Sequence, residues 1–169
     1  MNNIDIANGI IFQRLHLSIE SFADRLICQK KIYLLQVLGS DLGYKYNWYI
    51  HGPYSPTLTN YMYNNINVLL TLDLEKYELS TQTLENINAV NRLQDNIRED
   101  FNVCSWYELL ASIVYINENR YSWGIDAQVD LDGGITNKVI EQKPQYTSAQ
   151  CAFAIERLKR ENFLRGNGM

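Results

Sequence analysis

Apolar residues recur at helical spacing along most of the chain, most clearly in the segment that follows Ser21. Ser21 and Asp24 stand three positions apart, as in a capping box with Asp in place of Glu, and Gly39 supplies a stop signal. The spacing predicts one helix between these signals, lined by Leu26, Ile27, Leu34, Leu35 and Leu38. Its apolar stripe is wide, which indicates a central helix touched on several sides. Lys30 and Lys31 must therefore extend to solvent or find partners.

Two later segments follow the same template. Ser105 and Glu108 have the spacing of a full capping box, and the residues after it predict a helix lined by Trp106, Leu109, Leu110, Ile113 and Val114. Residues 83–101 predict an amphipathic surface helix lined by Leu84, Ile87, Val90, Leu93, Ile97 and Phe101.

Residues 122–138 are rich in Gly and Asp, and they predict a mobile loop with a turn over residues 130–134.

The segment YNWYIHGPYSPTL, residues 46–58, changes from alternation to helical spacing. Alternation over residues 46–51 predicts a half-buried strand. Its core face would carry Tyr46, Trp48 and Ile50, and its outer face Asn47, Tyr49 and His51. Gly52 and Pro53 break the strand, and Ser55 followed by Pro56 matches an N-cap and the first position of a helix. The segment predicts a strand, a sharp corner and a helix start.

The C-terminal part predicts two helices joined by a tight turn. The first would end before Pro144, and the second would be capped at Thr147 or Ser148. This arrangement resembles a helix-turn-helix, although any helical hairpin has a similar pattern. If the pair binds DNA, the residues that would contact it are Thr147, Ser148, Gln150, Arg157, Lys159 and Arg160.

Composition and charge narrow the classes of function. The chain of 169 residues fits one domain, and its net charge of −4 gives no overall field that attracts nucleic acid. The cysteines are Cys28, Cys104 and Cys151, and their wide spacing suggests neither a disulfide framework nor a zinc site, which is typical of the cytoplasm. Neither a signal peptide nor a membrane span is predicted at the N-terminus.

Candidate binding residues concentrate at the corner. Its backbone N–H groups and positive helix end would lie near His51, Tyr54 and Ser55, where a phosphate or carboxylate could bind, or the corner could simply fix the strand–helix angle. Tyr49 adds an exposed ring to this candidate surface for a protein or an anion. Ser55 follows His51 by four residues, but no acidic residue that would orient the imidazole is evident. We therefore predict no catalytic residue, no metal ligand and no cofactor.

Two segments carry a resemblance to known proteins. DRLICQKKIYLLQVLG followed by YKYNWYIHGPYSPTL resembles a YwgA-like family of prokaryotic proteins, in which an LQKxxYLLQ helix precedes a WYxxGPYS strand and turn. More distantly, the chain is similar to the Panacea, or SocA-like, antitoxin domain. SWYELLASIVYI and KPQYTSAQCAFAIERL extend the resemblance over most of the chain, whereas Cys28 departs from the Leu usual in the family. The resemblance implies a winged-helix-like or antitoxin-like protein and brings no catalytic residue.

Together these observations predict a mostly α, α+β fold, a single domain over residues 1–169, winged-helix-like in part. Twelve tyrosines and three tryptophans exceed what a small core needs, and amphipathic rings favour protein interfaces. The predicted function is a non-catalytic protein-interaction or antitoxin-like regulatory module with a protein partner, in a prokaryotic or phage cytoplasm. A DNA-binding winged-helix regulator is the alternative, and an enzyme of unknown type is the third. The oligomeric state is left open.

Overall fold

The structure is a computed structural model that describes residues 2–126 and 129–164. Within this part of the chain the elements are α1 (Asn3–Arg14), α2 (Phe22–Val37), β1 (Asn47–Tyr49), β2 (Gly52–Tyr54), α3 (Pro56–Thr71), α4 (Thr81–Arg92), α5 (Val103–Glu118), α6 (Leu131–Gln142) and α7 (Ser148–Arg160). The sheet has two antiparallel strands. The mostly α, α+β class is therefore confirmed.

Helix α5 lies at the centre of the fold. All residues from Trp106 to Val114 are buried, and α5 packs most extensively against α2. Helices α6 and α7 and strand β2 also contact α5, while α1 packs on α3 and α4 packs on α2. The buried apolar side chains form one cluster around this centre. Because α5 is enclosed on all sides, its polar residues Glu108 and Ser112 are placed inside the protein.

Several helix ends agree with the predicted signals. The Ser21 hydroxyl accepts a hydrogen bond from the Asp24 backbone N–H, and the reciprocal contact completes the capping box of α2. The Thr147 hydroxyl caps α7 in the same way, with Gln150 as its partner. Gly39 follows α2 with a φ of 107°, the left-handed conformation that ends many helices. Local side-chain chemistry therefore sets these ends.

The corner at residues 46–58 is a hairpin, which corrects the prediction of one strand followed by a break. Strand β1 ends at Tyr49, residues 50 and 51 turn, and β2 returns with Tyr49 opposite Gly52 and Asn47 opposite Tyr54. The alternation therefore stops two residues early. Ile50, predicted to face the core, lies at the turn and is 87% exposed. Trp48 and Tyr46 do pack against the core as predicted.

Helix α4 ends at Arg92, well before the predicted end at residue 101. Side chains from other helices donate hydrogen bonds to the backbone carbonyls near this end. Trp106 Nε1 donates to the Leu93 oxygen at 2.6 Å. The Arg157 guanidinium donates to the carbonyls of Arg92 and Asp95. Tertiary hydrogen bonds thus replace those of a longer helix, and the chain turns before α5.

Two other boundaries also differ from the predictions. Asn102, not Ser105, is the N-cap of α5, because its side chain accepts from the Ser105 backbone N–H at 2.8 Å. The helix predicted to end before Pro144 is α6, which ends at Gln142; it begins at Leu131, inside the predicted loop, and Asp130 caps it by accepting from the Gly133 N–H at 2.9 Å. Residues 127 and 128 of the predicted loop lie outside the described part. No helix among the described residues is both long enough and apolar enough to cross a bilayer.

Candidate functional site

The hairpin lies directly on α5, and this close approach requires glycine at position 52. Gly52 has a φ of 87°, in the left-handed region that disfavours other residues. A Cβ atom added there would lie 2.6 Å from the Ser112 hydroxyl, closer than van der Waals contact allows. Both the backbone conformation and the space therefore demand glycine, and the turn at residues 50 and 51 is held at a fixed height above α5.

Two buried lysines hold the main chain of the hairpin. Lys30 Nζ donates to the Pro53 carbonyl at 2.7 Å, and Lys143 Nζ donates to the Ile50 carbonyl at 2.9 Å. These lysines are only 1% and 3% exposed, respectively. On the helix side of the corner, the Gln29 amide accepts from the Ser55 backbone N–H and donates to its carbonyl, at 2.9 and 3.0 Å. The whole corner is thus fixed by side chains from beneath it.

Glu108 of α5 supplies the negative charge that accompanies these lysines. One carboxylate oxygen accepts from Lys143 Nζ at 2.7 Å, and the other lies 3.5 Å from His51 Nδ1. Lys143 also lies over the Trp48 ring, 5.5 Å from its centroid. We call Lys30, His51, Glu108 and Lys143 the ionic cluster. Because most of the cluster is buried, its charges interact strongly and their geometry is well defined.

Burial lowers the pKa of Lys30 to about 7. The negative charge of Glu108 opposes this shift, whereas the positive charge of Lys143 lowers the pKa further. In the unfolded chain a lysine keeps its ordinary pKa near 10.4. Between these two values the unfolded state binds more protons than the folded state, so stability rises with pH. The buried ammonium destabilises the fold below the folded pKa, and deprotonation relieves this cost as the pH increases.

We therefore expect a pH effect that depends on Lys30. Between about pH 7 and about pH 8.5, the free energy of unfolding of the wild type should rise by about 1.5 kcal/mol relative to that of Lys30→Met, which has no titrating amine. Urea unfolding of both proteins across this range measures the difference. Parallel pH profiles for the two proteins would show that Lys30 does not titrate there.

Above the ionic cluster, apolar and aromatic side chains point outward. Ile50 is 87% exposed, Phe22 56% and Tyr49 45%. The Phe22 and His51 rings make an edge contact at 5.5 Å, and the Tyr49 and Tyr54 rings make another at 5.3 Å. We call these five residues the tip patch. It consists of two ring pairs on the hairpin and the start of α2, with Ile50 at the turn, and it includes the predicted residues Tyr49, His51 and Tyr54.

Two clefts adjoin the tip patch at His51. One has a volume of about 490 Å³ and a mixed polar and apolar lining that includes Ile50, His51, Glu108, Lys143, Tyr146 and Gln150. The other has a volume of about 500 Å³ and a more apolar lining that includes Phe22, Leu26, Ile27, His51, Val103 and Cys104. His51 and Glu108 line both clefts. Ile50 lines the first cleft, Phe22 lines the second, and His51 lies between the two.

Ser55 has a structural position. It is fully buried, and its hydroxyl accepts from the Leu58 backbone N–H at 3.3 Å, which confirms the predicted cap of α3. His51 does have an acidic neighbour, Glu108, which the sequence analysis did not find. The Ser55 hydroxyl is nevertheless enclosed and engaged in capping, so it is not a free nucleophile for His51 to activate.

Replacing Ser55 should affect stability only through this cap. We expect Ser55→Ala to lower the free energy of unfolding by about 1 kcal/mol, the usual cost of losing an N-cap hydroxyl. Thermal melting measures the loss, and Thr57→Ala, at an exposed position in the first turn of the same helix, is the matched control. A Ser55→Ala protein that is fully stable but does not bind its partner would assign the hydroxyl to a ligand.

Among the residues considered for DNA binding, Arg157 is buried, whereas Lys159 and Arg160 form ion pairs at the surface. Arg157 is 5% exposed and its guanidinium donates to main-chain carbonyls, which corrects the expectation that it could contact DNA. Lys159 pairs with Asp132, and Arg160 pairs with Glu156. The other three candidates lie at the start of α7: Thr147 is the N-cap, Ser148 is exposed, and the Gln150 amide bonds to Asp100.

Sequence reasoning missed several important residues of this site. Glu108 was interpreted as part of a capping box, and Lys143 only as the residue before the proline at which a helix was expected to end. A signal for Glu108 is its position inside an otherwise apolar run in SWYELLAS, where a lone charge needs a buried partner. Ile50 and Phe22 were missed because the turn and the nearby start of α2 are brought together only by tertiary structure.

Among the described residues, no group of three or more His, Cys, Asp or Glu side chains is arranged to hold a metal ion. Comparisons of the chain with protein-family models, with curated proteins and with solved structures found no match. The resemblance to YwgA-like and Panacea proteins therefore stays a prediction. The function is inferred below from the geometry of the tip patch and the ionic cluster.

Proposed function

We propose that this chain is a non-catalytic protein-interaction module of the antitoxin-like regulatory kind, which binds a protein partner through the tip patch. One observation carries the proposal: two buried lysines hold the main chain of a hairpin at whose tip Ile50 and Tyr49 expose large side chains. The winged-helix-like character and the prokaryotic or phage cytoplasm belong to the same proposal, and they rest on the sequence resemblance described above.

The energetics of the ionic cluster support this proposal. Transferring a charged group from water to a protein interior costs several kcal/mol, and apolar residues of similar volume often stabilise a fold better. Lys30 and Lys143 direct their ammonium groups at the carbonyls of Pro53 and Ile50. Such a cluster is an inefficient way to gain stability, but it fixes the position of the turn. A fixed turn suits recognition, because a preorganised surface loses less conformational entropy on binding.

The composition of the tip patch also fits a protein interface. Interface centres are depleted of charged residues and enriched in aromatic side chains, and a few anchors carry most of the affinity. Ile50 and Tyr49 are exposed anchors, and the adjoining apolar cleft of about 500 Å³ can accept a side chain from a partner. His51 and Glu108 provide polar groups at the border of this surface.

Affinity capture from the source organism tests the proposal. Tagged wild-type protein should retain a protein partner, and Ile50→Asp should lose it because a carboxylate would be buried without a counter-charge at the interface. Tyr121→Asp is the matched control, since Tyr121 is 86% exposed and Ile50 87%. Retention of the same protein by both variants would place the binding surface elsewhere. Recovery of duplex DNA in place of a protein would favour the regulator alternative.

A further inference from the structure

A cavity with a volume of about 410 Å³ adjoins the C-terminal ends of α2 and α5. Four tyrosines line this cavity, which we call the tyrosine cavity: Tyr33, Tyr44, Tyr46 and Tyr115. Tyr33 is 7% exposed, and its ring centroid lies 5.0 Å from that of Tyr46 and 6.1 Å from that of Tyr115. Side chains from α2, from α5 and from the loop between α2 and β1 therefore form one aromatic wall.

Side-chain hydrogen bonds fix the loop that carries Tyr44 and Tyr46. The Gln36 amide accepts from the Leu42 and Tyr44 N–H groups at 3.1 and 3.0 Å, and it donates to the Tyr44 carbonyl at 2.8 Å. The Tyr46 hydroxyl donates to the Gln29 carbonyl at 3.2 Å. The aromatic wall is thus set in place by the fold itself, which reduces the conformational entropy lost when a ligand binds.

The charges around the tyrosine cavity are negative. Asp41 and Glu118 belong to the lining, whereas none of the described residues that line it is basic. Burial raises the pKa of Tyr33, and the charge of Glu118 raises it further, so this carboxylate acts on the aromatic wall. The last turns of α2 and α5 contain no basic residue, and a helix dipole is negative at its C-terminal end. Both helices therefore add to a potential that attracts a cation.

The two carboxylates are not neutralised within the described part of the chain, where neither Asp41 nor Glu118 forms an ion pair. Asp41 accepts from the Gly43 N–H at 2.7 Å, which orients its carboxylate. Arg120, which follows α5, donates to the Asn117 carbonyl at 3.2 Å and is not part of the lining. A carboxylate at the negative end of a helix is unfavourable without a nearby cation, and Glu118 occupies such a position.

We propose that the tyrosine cavity binds a ligand through a quaternary ammonium group. The face of an aromatic ring attracts a cation, and several rings together bind quaternary ammonium groups, which have no N–H donors to satisfy. Asp41 and Glu118 complement the positive charge. The volume of about 410 Å³ lies within the range of small-ligand sites. None of the lining residues belongs to the tip patch, and the test below needs no partner protein, so its result is independent of the proposed function.

A pair of molecules that differ in charge tests the proposal. Choline carries a quaternary ammonium group, and the alcohol in which carbon replaces the choline nitrogen has nearly the same shape without the charge. In titrations followed by NMR, choline should bind with a dissociation constant of about 1 mM or lower and shift the ring signals of the four tyrosines. The neutral alcohol should bind at least about tenfold more weakly. Equal affinities, or no binding of choline, would overturn the proposal.

A short peptide with a central trimethyllysine distinguishes two sources of the same chemistry. Tighter binding of this peptide than of choline would assign the ammonium group to a modified side chain of another protein. Weaker binding would assign it to a free small molecule.

Charge variants at exposed positions test the two carboxylates. Asp41→Asn combined with Glu118→Gln keeps the shape of both side chains and should weaken choline binding at least about tenfold, without changing that of the neutral alcohol. Asp73→Asn combined with Glu75→Gln is the matched control, because it removes the same charge at exposed positions outside the lining. Asp73 also accepts from an N–H two residues later, as Asp41 does. Equal choline affinities for the two double variants would contradict the proposal.

Variants of Tyr115 test the aromatic wall. Tyr115→Phe keeps the ring and should bind choline like the wild type, whereas Tyr115→Leu should bind it at least about fivefold more weakly. Equal choline affinities for these two variants would also count against the site. Circular dichroism melting checks that both variants fold, and if Tyr115→Leu does not, the charge variants at exposed positions decide the outcome.

Discussion

Glu108→Gln should lower the free energy of unfolding by about 3 to 5 kcal/mol, the cost typical of removing one partner from a buried ion pair. The variant keeps the size of the side chain but leaves Lys143, which is 3% exposed, without a buried counter-charge. Lys30 also loses the carboxylate that opposes the lowering of its pKa. Urea unfolding at neutral pH measures the effect.

Two further variants test whether the loss of stability comes from burial of the Glu108–Lys143 pair. Glu161→Gln removes the partner of Arg92, whose side chain is 53% exposed, and it should cost less than about 1 kcal/mol. The double variant Glu108→Gln with Lys143→Met should be more stable than Glu108→Gln alone, because no unpaired charge stays buried at that position. If Glu108→Gln unfolds like the wild type, the ionic cluster does not hold the hairpin.

The second large effect concerns binding rather than stability. Tyr49→Ala should weaken the affinity for the captured partner about thirtyfold or more, corresponding to about 2 kcal/mol for an aromatic anchor, without lowering the melting temperature. Tyr49 is 45% exposed, and its ring contacts Tyr54 rather than the core. Titration calorimetry with the purified partner measures this loss.

Trp48→Ala should instead lower the stability of the protein. The Trp48 ring packs against Tyr115 and Trp123, with centroids at 5.7 and 5.2 Å. Its truncation should cost about 3 kcal/mol of stability, at the lower end for a large core residue because the ring is only partly buried. Equal loss of melting temperature in Tyr49→Ala and Trp48→Ala, with normal partner affinity in Tyr49→Ala, would make the corner a core element.

The features that the sequence predicted well depend on neighbours along the chain. Ser21, Ser55 and Thr147 cap helices because a side-chain oxygen reaches a backbone N–H three residues later, whatever the rest of the fold does. At the start of α5, the predicted cap was Ser105, whereas the N-cap is Asn102, three residues earlier. The two side chains form a reciprocal pair, in which each accepts a hydrogen bond from the backbone N–H of the other residue.

The features that the sequence did not predict depend on tertiary contacts. Helix α4 stops at Arg92 where donors from α5 and α7 take the backbone carbonyls. The ionic cluster joins positions 30, 51, 108 and 143, which no local pattern relates. The hairpin was missed because alternation continues formally through Ile50, while the glycine-dependent approach to Ser112 ends the strand at Tyr49. The contacts that build the hairpin and the ionic cluster therefore could not be predicted from the sequence.

The central claim is that the exposed tip of the hairpin binds a protein partner. Its most direct test is the dissociation constant of the captured partner for Ile50→Ala and Tyr121→Ala, which truncate side chains that are 87% and 86% exposed. We predict that Ile50→Ala raises the dissociation constant at least about tenfold, as expected for an anchor worth more than 1 kcal/mol. Tyr121→Ala should leave it unchanged, and both proteins should melt like the wild type. Equal affinities for the two variants would contradict the proposed function.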